Sequence, residues 1–213
     1  MQINLQEVVP DHIEKENISR SQIWGKNIVI EAGEHLHIVA PSGSGKTSLM
    51  HFIYGLRNDY TGAVLYDRTD IKKLSAEGFS SFRQKKISII FQDLRLFPGQ
   101  TVRENLEIKR RLDPYHPPGA IDEMAKRLGI FSKLGNIART CSHGEQQRIA
   151  IIRALMQPFD FLLLDEPYSH LDDANRRKAM DLIYDECNKR RAAMVFADLK
   201  LIDFLKGEKV LML

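Results

Sequence analysis

Short apolar runs recur along this chain: NIVIE, HLHIVA, AVLYD, ISIIFQ, FDFLLLD, AAMVFAD and KVLML. Several are continuous rather than alternating. A strand with one wet face alternates apolar and polar residues, whereas a strand buried on both faces reads as an unbroken run. The pattern therefore predicts a largely parallel sheet covered on both sides. Helical patterns lie between the runs. Lys46 to Tyr54 reads as a helix opened by a glycine-rich turn, and Asp172 to Lys189 carries Met180, Ile183 and Cys187 at helical spacing. Strands alternating with helices argue for an α/β fold around a central sheet.

Between Asp93 and Gln157 the pattern changes. Val102 to Leu112, Ala120 to Leu128 and Glu145 to Met156 read as helices, the turn DPYHPPG interrupts them, and no run there makes a convincing strand. The expected organisation is one domain over 1–213, with an α/β core from 1–92 and 158–213 and an inserted helical subdomain over 93–157. A chain of 213 residues with 43% hydrophobic content can bury one sizeable core. The formal net charge of +3 is too small to argue for nucleic acid. Cys141 and Cys187 make no disulfide framework, which favours a reducing compartment. The N-terminus lacks the basic and apolar segments of a signal peptide. The apolar runs are too short to span a bilayer, so a membrane role would go through a partner.

HIVAPSGSGKTS places a strand, a glycine-bearing turn and a helix in order. The phosphate-loop pattern G-x-x-x-x-G-K-S/T is met at Gly45, Lys46 and Thr47, with Ala40 in place of the first glycine. The candidate cradle is Ser42, Gly43, Ser44, Gly45, Lys46, Thr47 and Ser48. Gly43 and Gly45 let backbone N–H groups turn toward phosphate oxygens, and the helix start adds its positive end. Lys46 would reach the β- and γ-phosphates of a nucleotide, and the Thr47 hydroxyl would ligate Mg²⁺. Far downstream, FDFLLLDEP ends a buried strand in Asp165 and Glu166. An acid there points into the crevice where α/β sheets bind ligands. Asp165 would hold Mg²⁺ through water, and Glu166 would orient or deprotonate the attacking water. Either motif alone also reads as an ordinary turn; together they describe a nucleotide site.

CSHGEQQRIAIIRAL is less obviously chemical. Ser142 and Glu145 fit a capping box, and Ile149, Ile152 and Met156 make an apolar stripe. The cap explains why a helix starts here. It does not call for Gly144, whose missing side chain would let a phosphate approach the backbone.

Taken together, these residues resemble the ATP-binding cassette (ABC) ATPases over nearly the whole chain. APSGSGKTS looks like their Walker A motif and FLLLDEP like Walker B followed by the catalytic glutamate. Gln92 in IIFQD matches the Q-loop, Ser169 to Asp172 the D-loop, and CSHGEQQR the signature, usually L-S-G-G-Q. The resemblance implies a P-loop NTPase (RecA-like) core with a small antiparallel β part near the N-terminus. It implies ATP and Mg²⁺ as cofactors, with Glu166, Lys46 and Gln92 catalytic and Thr47, Gln92 and Asp165 at the metal. It also implies a homodimer or cassette heterodimer sandwiching two ATP molecules, in which Ser142, Gly144 and Glu145 face ATP held by another subunit. The expected partner is an integral membrane permease or mechanotransmitter on the cytoplasmic face of the cell membrane, driven by ATP binding and hydrolysis. The run from Asp70 to Ile108 is similar to the cassettes serving lipoprotein release, macrolide efflux and cell division. Two other readings stand beside this one: a soluble non-transport ABC protein, and an ATP-gated dimerisation module with little turnover.

Several positions depart from the family pattern. The switch histidine of T-H-D is replaced in Phe196-Ala197-Asp198, which predicts slow basal hydrolysis with ATP binding retained. His12 is the only aromatic ring between His12 and Arg20, so adenine stacking is expected to be weak, with Trp24 packed against the sheet. In the signature, His143 stands where glycine is usual and Glu145 where glutamine is usual; a protonated His143 could offset the added negative charge. His170 in the D-loop is expected at a dimer interface. Leu94, Leu96, Phe97 and Pro98 form either a groove floor for a partner helix or subdomain core. The end at KVLML is expected to leave no regulatory domain.

Overall fold

In a computed structural model of the chain, residues 1–201 and 209–213 are described. Its strands are β1 (Ile3–Pro10), β2 (Asn27–Ile30), β3 (His35–Val39), β4 (Tyr60–Tyr66), β5 (Thr69–Asp70), β6 (Ile87–Ile90), β7 (Phe161–Asp165), β8 (Ala193–Asp198) and β9 (Lys209–Met212). Its α-helices are α1 (Lys15–Arg20), α2 (Lys46–Ile53), α3 (Ala76–Lys85), α4 (Val102–Leu112), α5 (Gly119–Arg127), α6 (His143–Leu155) and α7 (Asp173–Arg190).

Five of the apolar runs form one sheet in the order β6-β7-β8-β3-β9, with every pairing parallel. β6 and β7 are buried along their whole length, as the unbroken runs require. NIVIE and AVLYD belong elsewhere. As β2 and β4 they join β1 and β5 in an antiparallel sheet of order β2-β1-β4-β5. β1 itself, INLQEVVP, is not an apolar run. Its side chains alternate between faces, and its register with β4 shifts between Gln6 and Val9.

The parallel sheet separates two apolar clusters. Because successive strand residues face opposite ways, Leu162, Leu164, Met194 and Phe196 pack against the α4–α7 side. Phe161, Leu163, Ala193, Val195 and Ala197 pack against α2 and the antiparallel sheet. Val102 and Leu106 of α4, Ile121 of α5 and Ile149 of α6 share the first cluster with the sheet, so the helical segment is continuous with the core. Its DPYHPPG turn is anchored ionically. Glu186 of α7 meets His116 at 2.9 Å, Lys189 at 2.9 Å and Arg190 at 2.6 Å. Burial opposes the Glu186 charge, but these partners outweigh it and bring its pKa down to about 2.

Candidate functional site

The phosphate loop lies between the C-terminal end of β3 and the start of α2. Gly43 and Gly45 have φ of 82° and 99°, left-handed values that a side chain would strain. A Cβ at Gly43 would meet no atom within 4 Å, so the loop is open above it. At Gly45 it would press on Trp24 at 3.0 Å. Trp24 is buried in the cluster it shares with the sheet residues Leu36, Ile38 and Phe161, as expected. It lies under the loop, its indole N–H donating to the Ser44 carbonyl at 3.3 Å and its ring meeting Phe52 edge-on. Ala40 is not among the left-handed residues, which is why alanine replaces the family glycine without strain. Ser44 Oγ donates to the Pro41 carbonyl at 2.8 Å, Ser48 Oγ accepts from Arg57 at 3.1 Å, and Ser42 is exposed.

Lys46 is 5% exposed, and its Nζ donates to the carbonyls of Ala40 at 2.9 Å and Pro41 at 3.0 Å. It also pairs with Glu166 Oε1 at 3.4 Å. Glu166 is held in a left-handed conformation at φ 46°. A non-glycine residue there costs about 1–3 kcal/mol and persists only where its surroundings hold it. Here its N–H donates to the Ala197 carbonyl at 3.0 Å, and its own carbonyl accepts from Gln147 Nε2 at 3.3 Å and from the Ser169 N–H at 3.3 Å. Ala197 is fully buried in the cluster under the sheet, so it supports Glu166 through its backbone and offers no side-chain donor.

Asp165 is 1% exposed, and neither carboxylate oxygen has a hydrogen-bond partner. Burial pushes its pKa up; the Thr47 hydroxyl and Lys46 pull it down, and Glu166 adds to the rise. The Thr47 hydroxyl donates to Gln92 Oε1 at 3.2 Å. Thr47, Gln92 and Asp165 line one cavity of about 360 Å³ with His51, Asp93 and Arg95. A buried carboxylate without a partner, beside a hydroxyl and an amide oxygen, is an all-oxygen donor set. It suits a hard divalent cation such as Mg²⁺, which keeps several waters and one or two protein oxygens.

The signature residues sit at the start of α6. Ser142 and Glu145 close the expected capping box: the Ser142 N–H donates to Glu145 at 2.8 Å, and the Glu145 N–H donates to Ser142 Oγ at 3.3 Å. The Ser142 N–H holds the Glu145 carboxyl below its usual pKa, with help from Lys133 at 3.2 Å. Lys133 therefore offsets the Glu145 charge directly. His143 instead stacks on His170, with ring centroids 5.3 Å apart at 25°. Gly144 has a reason the sequence did not suggest: a Cβ there would come within 2.9 Å of the His170 carbonyl, so the D-loop backbone itself requires glycine.

The structure also shows residues that sequence reasoning missed. Gln147 is fully buried and ties three motifs together, donating to Glu166 and accepting from the His170 N–H at 3.2 Å. Ile149, Ala150, Ile151 and Ile152 are all buried, so α6 is covered on more than one side. That run of apolar neighbours was the available signal: a glutamine so close to it needs buried partners. Arg153 was missed as well. It donates to the carbonyls of Leu94 and Arg95 at 2.7 Å each, holding the loop that follows Gln92. Of the candidate groove residues, Leu94 is buried, Leu96 packs on the core, Pro98 is exposed and Phe97 is 51% exposed. His12 is exposed in the turn after β1.

A profile of the ABC transporter family matches residues 25–169. The chain is 34% identical over 196 residues, 86% of each protein, to the lipoprotein-releasing system ATP-binding protein LolD of Syntrophotalea carbinolica. It is 35% identical to the macrolide export ATP-binding/permease protein MacB of Nitrosomonas europaea over 76% of this chain, but over only 25% of that longer protein. It is 34% identical to the aliphatic sulfonates import ATP-binding protein SsuB of Bacillus cereus, over 80% of this chain and 64% of that one. Among solved structures, the dimeric bacterial ABC transporter cassette MJ0796 superposes with a TM-score of 0.82 at 25% identity, covering 99% of this chain and 94% of that one. A post-hydrolysis dimer of the same cassette, bound to ADP and Pi, superposes with a TM-score of 0.80 at 25% identity over 93% of this chain and 88% of that one. The chain belongs to the ABC transporter family, as a nucleotide-binding subunit with an ATPase fold and activity.

Proposed function

We propose that this chain binds Mg-ATP between two cassettes, each supplying half of a site, and passes the closure to an integral membrane permease or mechanotransmitter. The observation that carries this reading is the unpartnered, buried Asp165 carboxylate beside the Thr47–Gln92 pair and the Lys46–Glu166 pair. Thr47, Gln92 and Asp165 would hold Mg²⁺, which when bound neutralises charge on the β- and γ-phosphates. Ser42 to Thr47 present the loop N–H groups, Ser48 lies at the first turn of α2, and Lys46 moves from the loop carbonyls to the phosphates. Glu166, freed from Lys46, orients water and accepts its proton. Residues 1–92 and 158–213 form the nucleotide-binding part. Residues 93–157 carry the signature, in which Ser142, Gly144 and Glu145 face a second chain's nucleotide. Both a homodimer and a cassette heterodimer fit this arrangement, placed on the cytoplasmic face of the membrane.

Within the family, similarity to LolD and to the cassette part of MacB supports the mechanotransmitter class. Ala197 supports slow turnover without that partner, since a lost preorganised donor costs about 10²–10³-fold in rate. The test is a Glu166→Gln protein, which keeps the loop and removes the base. In Mg-ATP it should run as a dimer by light scattering, and in EDTA as a monomer. A protein that stays monomeric at saturating Mg-ATP contradicts the sandwich.

A further inference from the structure

The end of β8 stands between the phosphate loop and Glu166. On one side Val39, the last residue of β3, pairs with Asp198, and the Ala40 N–H donates to the Asp198 carbonyl at 3.1 Å. On the other side Asp165 of β7 pairs with Ala197, whose carbonyl holds Glu166. No side chain at this strand end can donate to a phosphate: Ala197 carries a methyl group, and Asp198 is an acid.

Arg176 of α7 faces the same strand end. It lies three, four and seven residues before Ala179, Met180 and Ile183, which share a buried cluster with Phe196 of β8. Its neighbours Arg177 and Lys178 are exposed. The Arg176 charge reaches Asp198. Burial raises the Asp198 pKa, and the Leu199 N–H, Arg176 and Lys46 oppose the rise.

The guanidinium itself is poorly matched. Its Nε is buried with no hydrogen-bond partner. Among the described residues its one ion contact is at 3.9 Å, to Asp173, whose side chain is 88% exposed. So loose and exposed a pair contributes little. Asp198 does not fill the gap, because its Oδ1 accepts from the Leu199 N–H at 2.6 Å and no ion pair joins it to Arg176 among the described residues. A guanidinium has a planar fork of N–H donors, and a buried donor left unmade is costly. Beside a phosphate loop, that fork suits an anion with several oxygens.

We propose that Arg176 is a catalytic residue that meets the γ-phosphate of ATP held in its own chain. The slow hydrolysis left to a chain with Ala197 then runs through Arg176. The inference rests on the ATP reading above and adds a residue to it. Water attacks the γ-phosphorus, and the bond to the β-phosphate oxygen breaks with its electron pair leaving on ADP. Glu166 takes the proton from the water. Arg176 exchanges no proton; its N–H groups meet the equatorial oxygens, over which the transition state spreads its charge.

The test is single-turnover hydrolysis by the full chain, with Mg-ATP binding measured alongside. Arg176→Gln should hydrolyse at least about tenfold more slowly while its Kd changes less than about threefold, because the contact strengthens in the transition state. Mg-ADP with aluminium fluoride, an analogue of that state, should be trapped by the wild type and about tenfold less by the variant. Arg176→Lys keeps the charge that acts on Asp198 but not the fork, so it should hold the wild-type Tm and still lose several-fold in rate. It settles the question if Arg176→Gln is too unstable to assay. A wild-type rate in either variant overturns the proposal. So does recovery of the Arg176→Gln rate by Asp198→Asn, which would make the guanidinium a counter-charge within the fold. Dimerisation of Glu166→Gln in Mg-ATP reports on the sandwich separately, so an intact dimer beside an unchanged Arg176→Gln rate sinks this inference alone.

Discussion

The two halves of the proposed ATP site are built on opposite principles. At the phosphate loop, the polar groups are left wanting. Asp165 is buried with no partner, and Lys46 reaches only loop carbonyls and Glu166. At the start of α6, the polar groups are satisfied within the chain. Ser142 and Glu145 cap each other, Lys133 pairs with Glu145, and His143 stacks on His170. The first half holds electrostatic need that a nucleotide and a cation would meet. The second is a finished, rigid surface that can only present what it has. Neither resembles a full active site, and the difference explains why the phosphate half announces itself chemically while the signature half reads as a well-capped helix.

The largest expected effect removes the wanting half. Lys46→Ala should lower the hydrolysis rate, followed by phosphate release, by about 10²–10³-fold. Next is the reverse experiment at the missing donor. Ala197→His should raise hydrolysis without a partner by up to about 10²-fold if the ring reaches the γ-phosphate. Its buried setting predicts a lower Tm at the same time, because overpacking a core costs about 1–3 kcal/mol. No change in rate would mean that the position lacks access to the nucleotide. Gly144→Ala tests the finished half. Its Cβ would meet the His170 carbonyl at 2.9 Å, so thermal stability should fall by about 1–3 kcal/mol and the D-loop should shift.

The two carboxylates offer the sharpest contrast. The pKa of Asp165 is raised by burial, so its ionised form costs the metal-free fold stability at neutral pH. Asp165→Asn should therefore raise the Tm measured in EDTA, by about 1 kcal/mol of stability, while abolishing Mg-dependent hydrolysis. The pKa of Glu145 is lowered by the Ser142 N–H, so its contribution is present above the ordinary glutamate range and lost as pH falls through the depressed folded value. Glu145→Gln should cost a few tenths of a kcal/mol at neutral pH and remove that acid-sensitive part. If Asp165→Asn destabilises the metal-free protein, the contrast between the halves is wrong.

Much of this was legible in the residues. The unbroken runs FLLLD and HLHIV gave the parallel sheet because burial on both faces leaves no room for polar alternation. GKTS and DEP marked the candidate phosphate half because few residue types serve those roles. The antiparallel strand β1 was obscured because its INLQEVVP pattern mixes faces around a register shift. α3 was missed because AEGFSSFRQK has no fully buried residue and hence a weak stripe. Gly144 was assigned a ligand reason because the pressing neighbour, His170, is distant in sequence. The apolar run beside Gln147 shows that it needs buried partners but not which ones, and Lys133 and Arg153 act through contacts that no local pattern encodes.

The central claim is that the two halves meet only between chains. Ser142→Asp keeps a good helix N-cap but places a negative charge where the other chain's triphosphate would sit. Ser142→Asp and Lys46→Ala proteins should each hydrolyse ATP negligibly. Mixed in equal amounts, they should recover about a quarter of wild-type activity, since half the dimers would carry one intact composite site. A mixture as inactive as its components would place both halves in the same chain's site and contradict the account.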